Sequence, residues 1–517
     1  MRKAFLSLVV IFLTMGSLSA QSFIGKINPF PSQSDKVLSN DTVKILAVMV
    51  SFPEDRDGTT FGNGKFGSIY SKDYGSNILD PLPHDKSYFE SHLTFVKNYF
   101  KKVSNGKTNV SFTILPDTFS VSKTMRNYAP AIDFSPLGQF AQEVWAKADQ
   151  MNPGFNFSDY NVFLIFHAGA GRDISLPGSL GNEKDLPSVY LNENTFKNIF
   201  GQSFDGFPVS NGSFKIKNSM IIPETESREL ESISGKVLFE ITINGLLVAS
   251  VASYLGLPDL FDTETGLSAI GRFGLMDGQS IFAYNGVFPP EPSAWEKIYL
   301  GWANPVTIEP ANYNINLVTN LAATLADTVI LKVPLNSSEY YLIENRQRDA
   351  FKDGAKVTLK SSGNIFTKTF PKDTTGFYSY NTDSLSGVIL DVDEFDWALP
   401  GNGIVIWHID ENVINAKLAD NKINTDKTRR GVDVEEADGV QDIGEKFVTI
   451  FGDQVIGEGT DQDFWYAGNK AKLYKNRFAK DTRPDTKTNT GANSLITIKN
   501  FSSISNKMSF KIEYGDS

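Results

Sequence analysis

The chain has 517 residues, of which 41% are hydrophobic and 21% are charged, a composition typical of a soluble globular protein with a large core and two or more domains. Its formal net charge of −11 argues against nucleic acid as a partner, because nucleic-acid-binding proteins present a basic face. The sequence contains no cysteine, which excludes disulfides, cysteine nucleophiles and thiolate metal sites.

The N-terminus has the pattern of a secretory signal peptide. Arg2 and Lys3 precede an apolar stretch over 4–15, and small residues at 17–20 predict cleavage before Gln21. We therefore predict a signal peptide over 1–20, an N-terminal extension over 21–42, and a secreted or periplasmic protein. The alternative is an N-terminal membrane anchor. No other segment approaches 18 uninterrupted apolar residues, so we expect no transmembrane helix.

Hydrophobic periodicity predicts alternating strands and helices in the first part of the mature chain. The predicted elements are strands over 43–52, 110–115 and 161–166, and helices over 87–102, 140–150 and 235–254. From about Val306 the pattern changes to short alternating strands separated by turn residues, which favours an antiparallel, sandwich-like region.

The end of the last predicted helix carries the most informative motif. In zinc proteases with H-E-x-x-H, two histidines four residues apart bind one metal and the glutamate polarises a metal-bound water. In the extended metzincin pattern, a glycine ends the helix and turns the chain toward a third ligand. Gly256 and Asp259 occupy those two offsets, whereas Ala249, Ser250 and Ser253 stand at the histidine and glutamate positions.

Beyond this helix, the chain resembles the secreted immune inhibitor A-type metallopeptidases (peptidase family M, number six) from about Val43 to its C-terminus. The motifs that carry the resemblance are 255–262 (LGLPDLFD), 271–276 (GRFGLM), 292–297 (PSAWEK), 300–302 (LGW), 341–347 (YLIENRQ) and 403–410 (GIVIWHID). The resemblance implies an α+β/α/β fold class. It places a metzincin-like peptidase domain over 43–305 and a β-rich, sandwich-like C-terminal region over 306–517.

The resemblance also assigns roles to individual positions. It places the zinc-binding histidines at Ala249 and Ser253, the general base at Ser250, a further ligand at Asp259 and the methionine turn at Met276. Catalytic zinc needs about three protein ligands. A single carboxylate does not meet that need, so we expect a degenerate site with no zinc and no catalytic residues, in which Asp259 is a vestigial ligand position. The helix is apolar on nearly every face, which predicts that the vacated cleft is filled or is a small dry pocket.

The four histidines of the chain, His84, His92, His167 and His408, do not suggest a rebuilt zinc site. No two of them have i, i+4 spacing. His167 ends an apolar strand before a glycine-rich loop, where a hydrogen-bonded structural histidine is the more common interpretation.

Two acidic segments are candidates for a calcium site, because calcium binds six to eight oxygen ligands. The first contains Asp433, Glu435, Glu436 and Asp438, in a stretch that resembles a family pattern, and the second spans 391–396. Neither has EF-hand spacing, and a solvated acidic loop is the alternative for each. We predict the calcium site at the first segment.

Three classes of function remain open on the sequence. The first is a pseudopeptidase that has lost its catalytic motif and binds a protein or peptide. The second is an active peptidase with a different arrangement, for which Ser250 or Ser253 would need a neighbouring base. The third is an adhesive or carbohydrate-binding surface protein, which exposed aromatic side chains in the β-rich half would favour.

Overall fold

The structure is a computed structural model that describes residues 26–27, 42–131, 133–175, 183–232, 235–370, 385–448 and 454–515. The predicted signal peptide over 1–20 lies outside the described residues, as does nearly all of the predicted extension over 21–42. Within the described ranges, no helix is long and apolar enough to span a membrane.

The first part of the chain alternates strands and helices, as its periodicity predicts. Its strands are β1 (Lys26–Ile27), β2 (Val43–Ser51), β3 (Val110–Ser120), β4 (Val162–Ala170), β5 (Ile174–Ser175), β6 (Val189–Leu191), β7 (Phe207–Val209), β8 (Phe214–Ile216), β9 (Ser219–Thr225), β10 (Arg228–Ser232) and β11 (Gly235–Phe239). The helices are α1 (Lys86–Val103), α2 (Ser135–Met151), α3 (Glu193–Phe200), α4 (Asn244–Tyr254), α5 (Gly278–Ile281), α6 (Ala294–Tyr299) and, in the second part, α7 (Glu411–Lys417).

A five-stranded sheet in the order β3-β2-β4-β9-β6 organises this part of the molecule. The first four strands are parallel, and β6 runs antiparallel to β9 at one edge. Residues of β2 alternate between two hydrophobic cores, with Ile45 in one and Leu46 in the other. Strands buried on both faces are typical of a parallel sheet covered by helices on each side.

Helices cover both faces of this sheet. The buried side of α1 packs into the core that contains Ile45, and the buried side of α2 packs into the core that contains Leu46. Helix α4, which carries Ala249, Ser250 and Ser253, lies in the first core beside α1. The sheet and α1 therefore fix the position of α4 in the molecule.

Most predicted elements of this part are confirmed, but the helix over 235–254 is wrong in its first half. Residues 235–239 form strand β11, which pairs with β10 in antiparallel register, and the helix begins only at Asn244. The physical reason lies in the residues: Gly235 adopts φ +108°, and Val237 and Phe239 favour an extended chain. An ion pair of 3.1 Å between Lys236 and Glu229 adds to the hairpin.

The second part of the chain is rich in short strands. They are β12 (Val306–Thr307), β13 (Tyr313–Val318), β14 (Ile330–Pro334), β15 (Glu339–Arg346), β16 (Lys356–Ser361), β17 (Asn364–Thr369), β18 (Val388–Val392), β19 (Gly403–Asp410), β20 (Val432–Val434), β21 (Lys446–Val448), β22 (Gln454–Ile456), β23 (Arg477–Phe478), β24 (Ile496–Lys499) and β25 (Lys507–Tyr514). They form sheets in the orders β12-β14-β15-β19-β20, β13-β25-β24-β23 and β17-β16-β18.

Two of these sheets share a third hydrophobic core. Ile343 and Ile406 of the five-stranded sheet meet Ile498 and Phe510 of the four-stranded sheet in it. The molecule is thus a mixed α/β protein with a β-rich second half, which agrees with the coarse fold prediction.

The opposite face of the five-stranded sheet does not face solvent. Leu342 and Trp407, which alternate with the residues of the third core, belong instead to the core that contains α1 and α4. Hydrophobic packing therefore continues across the predicted boundary between residues 305 and 306.

Candidate functional site

Helix α4 ends in a glycine cap, as the sequence predicts. Gly256 adopts φ +109°, its N–H donates to the Ser253 carbonyl at 3.0 Å, and the N–H of Leu257 donates to the Ala252 carbonyl at 3.0 Å. This pair of bonds is a Schellman cap, and it satisfies carbonyl groups at the helix end that would otherwise lack partners. The cap turns the chain from the helix toward Asp259.

The three degenerate positions offer no set of metal ligands. The Ser253 hydroxyl donates to the Ala249 carbonyl one turn earlier at 3.1 Å, so its proton serves the helix itself. Ser250 is buried, and Ala249, with no donor atom, is half-buried and packs against the main core. The two serines are neutral hydroxyls where the pattern requires imidazole and carboxylate.

Asp259 is held by a residue from the second half of the chain. Its backbone N–H donates to the Asn421 amide oxygen at 2.9 Å, and the Asn421 amide nitrogen donates to the Asp259 carboxylate at 2.7 Å. Both side chains are buried, with exposures of 8% and 6%. Asn421 adopts a left-handed conformation at φ 55°, which asparagine tolerates better than most residues. The one ligand-type side chain retained at this site is therefore engaged with an amide.

The segment that contains Met276 is hydrogen-bonded to the segment that follows the helix. The Met276 carbonyl accepts a hydrogen bond from the Leu260 N–H at 2.7 Å. The Met276 N–H donates to the Glu296 carboxylate at 2.9 Å, and the Leu275 N–H donates to the same carboxylate at 3.1 Å. Glu296 is fully buried on α6, so it fixes the turn from below. These hydrogen bonds hold the segment that contains Met276 against the segment that follows the helix.

The four histidines have partners elsewhere. His84 lies 3.7 Å from Glu224, and His92 lies 3.6 Å from Asp80 and 2.7 Å from the Asn244 amide oxygen. His167 is hydrogen-bonded to the neighbouring backbone carbonyl of Ala168 at 3.1 Å, and burial lowers its pKa to about 4. His408 lies 3.1 Å from each of Glu339 and Glu435.

These contacts bear on catalysis by serine. None of the four histidines contacts Ser250 or Ser253. A serine nucleophile needs an adjacent base.

The structure does not bring the four predicted calcium ligands together. Asp433 pairs with Arg430 at 2.9 Å and Glu435 contacts His408 at 3.1 Å, so both carboxylates are engaged with basic side chains of the protein. Glu436 and Asp438 instead approach Asp463, and one oxygen from each of these three carboxylates lies within 4.8 Å of the others. Asp463 was missed by the sequence reasoning because it stands 25 residues beyond Asp438, with no local pattern to connect them.

The second acidic segment is also divided. Asp391 pairs with Lys102 at 2.7 Å, and Asp396 forms a bidentate ion pair with Arg346 at 2.6 Å for both bonds. Only Glu394 joins an acidic group, with Asp349 and Asp353. Burial and the neighbouring carboxylates raise the pKa of Glu394 to about 8.

A cleft of about 430 Å³ lies between the loop over 56–71 and the β10–β11 hairpin. Its charged lining residues are Arg56, Asp57, Glu229, Glu231 and Lys236. Arg56 and Glu231 are exposed, so their charges are available to a ligand.

No known family model matches this chain, and no curated protein matches it.

Proposed function

We propose that the chain is a non-catalytic relative of the immune inhibitor A-type metallopeptidases that binds a protein or peptide without cleaving it. One observation carries this proposal: Asp259 is bonded to Asn421, while Ala249, Ser250 and Ser253 stand where the other ligands and the base are required. With a single carboxylate and no imidazole, the position cannot meet the needs of catalytic zinc.

The arrangement around the helix supports descent from the metzincin pattern. Gly256 caps the helix with a left-handed conformation, and the Leu260 N–H donates to the Met276 carbonyl. These are the two segments that the resemblance places on either side of a metal. Their mutual contact favours a retained scaffold in which the reactive groups have been replaced, and this is the basis for proposing a metzincin-like domain over 43–305.

An active peptidase of another kind is less well supported. The Ser253 hydroxyl donates its hydrogen bond to the helix backbone. All four histidines are engaged with groups other than Ser250 and Ser253. Since a serine hydroxyl needs a base within hydrogen-bonding reach, neither serine has the partner that nucleophilic catalysis requires.

The cleft between 56–71 and the β10–β11 hairpin is the surface that best suits a peptide ligand. It presents Arg56 and Lys236 together with Asp57, Glu229 and Glu231. Side chains of both signs within one cleft match the mixed charge and the amide groups of a polypeptide, and they set orientation through complementary pairing. The net charge of −11 gives no such match to nucleic acid.

Two measurements test the proposal. Metal analysis of the full chain should find no stoichiometric zinc, and about one zinc per chain would overturn the non-catalytic assignment. Binding to an immobilised peptide library should weaken in the double variant Arg56→Ala, Glu231→Ala. The matched control is Lys507→Ala, which alters a separate cleft of about 410 Å³ near β13. Equal loss of peptide binding in both variants would overturn the assignment of the peptide site to the first cleft.

A carbohydrate-binding or adhesive function is a second candidate, because aromatic side chains are exposed in the β-rich half. Phe351, Phe366 and Phe447 are between 42% and 53% exposed. By contrast, all six tryptophans are buried in the described structure. A glycan array probed with the full chain and with Phe351→Ala and Phe366→Ala tests this candidate, which requires binding that the substitutions remove.

A further inference from the structure

Three carboxylates from two separate segments meet in the second half of the chain. Glu436 and Asp438 follow β20, and Asp463 ends a short helical turn over Asp461–Asp463. One oxygen from each lies within 4.8 Å of the others. The backbone joins the two segments as well, since the Ala437 N–H donates to the Asp463 carbonyl at 3.1 Å. The group is therefore built into the fold.

The group has no cationic partner of its own. No lysine or arginine within the described ranges forms an ion pair with Glu436, Asp438 or Asp463. Arg430, whose charge acts on Glu436, is already paired with Asp433 and donates to the Ile443 carbonyl at 3.2 Å. Buried carboxylates are costly unless they are neutralised by a cation or by a proton.

Asp463 has an oxygen that no protein group satisfies. Its Oδ2 atom accepts from the Thr460 N–H at 2.6 Å and caps the helical turn. Asp463 is only 2% exposed, and its Oδ1 atom is buried. This oxygen has no hydrogen-bond partner among the described residues. A buried carboxylate oxygen without a donor requires an explanation, and an absent ion is one that fits the surroundings.

Electrostatics point in the same direction. Glu436 and Asp463 are both buried, and their carboxylates lie close enough to each other and to Asp438 to repel one another. Asp442, whose N–H donates to Glu436 at 2.9 Å, brings a fourth carboxyl close to the group. A divalent cation would remove this mutual repulsion.

We propose that Glu436, Asp438 and Asp463 bind one calcium ion. Calcium accepts irregular sets of oxygen ligands and combines carboxylates with backbone carbonyls and water, whereas magnesium demands near-ideal octahedral geometry. The three carboxylates contain six oxygens, of which some already accept backbone hydrogen bonds, so water completes the coordination. Asp433 and Glu435, which the sequence suggested as ligands, are not part of the site.

Calcium at this position would connect the segment after β20 to the chain around the methionine turn. Next to Asp463, the Phe464 ring packs against Phe273 with centroids 5.1 Å apart. The Glu458 carbonyl accepts from the Arg272 N–H at 3.1 Å. The ion would therefore hold the 458–464 segment against the turn beneath the vacated zinc position, and hydrogen exchange of that segment should slow when calcium is added.

The decisive experiment is a thermal-unfolding titration of the full chain after treatment with a chelator. Calcium should raise the melting temperature by several degrees in a saturable manner, because a ligand that binds only the folded state stabilises it. Magnesium at the same concentration should give a smaller shift. The absence of a calcium shift would overturn the site, and an equal magnesium response would overturn the assignment to calcium.

The variant Asp463→Asn separates a metal ligand from a merely structural residue. Its amide oxygen can still accept from Thr460, and its amide nitrogen can donate to the neighbouring carboxylates. Without calcium the variant should melt at or above the wild-type temperature, because one repelling charge is gone, and its calcium shift should be lost. A lower melting temperature in the chelated protein together with an unchanged calcium shift would contradict the proposal. Asp438→Asn, at a less buried position, serves as the second variant if the first does not fold.

The matched control lies in the other acidic group. Glu394 is buried beside Asp349 and Asp353, but there Lys356 already pairs with Asp353. Glu394→Gln should leave the calcium shift unchanged. Loss of the shift in this variant, with retention in Asp463→Asn, would place the calcium at Glu394 and overturn the proposal.

Discussion

Asn421 forms two hydrogen bonds with Asp259, one to its backbone N–H at 2.9 Å and one to its carboxylate at 2.7 Å. Residues that are 162 positions apart in the sequence are thereby fixed to each other at the end of α4. Because both side chains are buried, breaking this pair removes a hydrogen bond from a buried carboxylate.

The first prediction tests the proposed descent from a zinc peptidase. The triple substitution Ala249→His, Ser250→Glu and Ser253→His places the residues of the H-E-x-x-H pattern on α4, but Asn421 still competes for the carboxylate of Asp259. We therefore expect weak zinc binding in the triple variant and stronger binding when Asn421→Gly is added, since glycine tolerates the left-handed backbone at this position.

Isothermal titration with zinc measures the difference. The control is Asn421→Gly in the wild-type background, which should bind no zinc. If the folded quadruple variant also fails to bind zinc, the positions no longer converge on a common point and the vacated cleft has been remodelled.

The second prediction concerns Arg346, which is buried and forms a bidentate ion pair with Asp396. The same guanidinium donates to the Phe273 carbonyl at 3.0 Å and so connects β15 with the segment that contains Met276. Arg346→Leu leaves the buried Asp396 without its cation and should cost about 3–5 kcal/mol in the free energy of unfolding. Chemical denaturation measures this loss.

The matched control is Arg126→Leu. Arg126 pairs with Asp57, but its side chain is 55% exposed. An exposed pair contributes about 1 kcal/mol or less. Comparable losses in the two variants would mean that burial does not determine the contribution of these ion pairs.

The third prediction concerns His408 and the dependence of stability on pH. Burial disfavours the imidazolium, but hydrogen bonds with Glu339 and Glu435 outweigh burial and raise the pKa of His408 to about 9. The stabilisation is therefore fully present below the unfolded pKa of about 6.5 and is lost as the pH rises through about 9. His408→Gln should destabilise the protein at pH 6 and much less at pH 10.

The dependence of stability on pH also has an acidic limb, which comes from Glu339, a carboxylate partner of His408. The His408 hydrogen bond lowers the pKa of Glu339 to about 2, so this contribution is present above about pH 4.5 and disappears only as the pH falls through about 2. Urea unfolding across the pH range measures both limbs. His167→Gln is the control, because burial lowers the pKa of His167 and its replacement should leave the alkaline limb unchanged. An identical alkaline profile in His408→Gln and wild type would contradict the assignment.

The fourth prediction concerns the close contact between α4 and α5. A Cβ atom at Gly245 would lie 1.8 Å from the Ile281 carbonyl oxygen, and a backbone atom cannot move away cheaply. Gly245→Ala should therefore destabilise the protein, despite the gain of about 1 kcal/mol that alanine normally brings to a helix.

Gly138 in α2 provides the comparison. There the added Cβ would meet the tip of the Ile199 side chain at 2.8 Å, which can rotate away. Gly138→Ala should change the unfolding free energy by much less than Gly245→Ala. Equal effects of the two substitutions would show that the α4–α5 contact is not as close as the structure indicates.

Most of the strands and helices that local sequence patterns predicted are present in the structure, and the limits of those patterns are clear from individual residues. The apolar run over 43–52 predicts β2 because a strand buried on both faces needs no alternation. The pattern was misinterpreted at 235–239, which was predicted as the start of a helix but forms a strand that pairs with β10. Hairpin pairing depends on a partner strand, and periodicity within the segment does not reveal it.

The candidate site shows the same limit at longer range. Gly256, Asp259 and Met276 could be located from spacing, because they lie within one short stretch around a helix end. Asn421 and Asp463 could not, since each reaches its partner only through the packing of the second half of the chain. The charges of Asp433 and Glu435 likewise suggested metal binding until Arg430 and His408 were found beside them.

The core shared across residues 305 and 306 has a consequence for how the chain can be divided. A polypeptide beginning at Val306 would expose Leu342 and Trp407, and its counterpart would expose α6, which packs against β15 and β19. Each piece is therefore expected to be unstable and to aggregate when it is produced alone. The two pieces have matching apolar surfaces, and the Arg346–Phe273 hydrogen bond joins them. When the two pieces are produced together, they should reassemble into the folded protein. The boundary between residues 305 and 306, where the strand pattern changes, is therefore suited to fragment complementation.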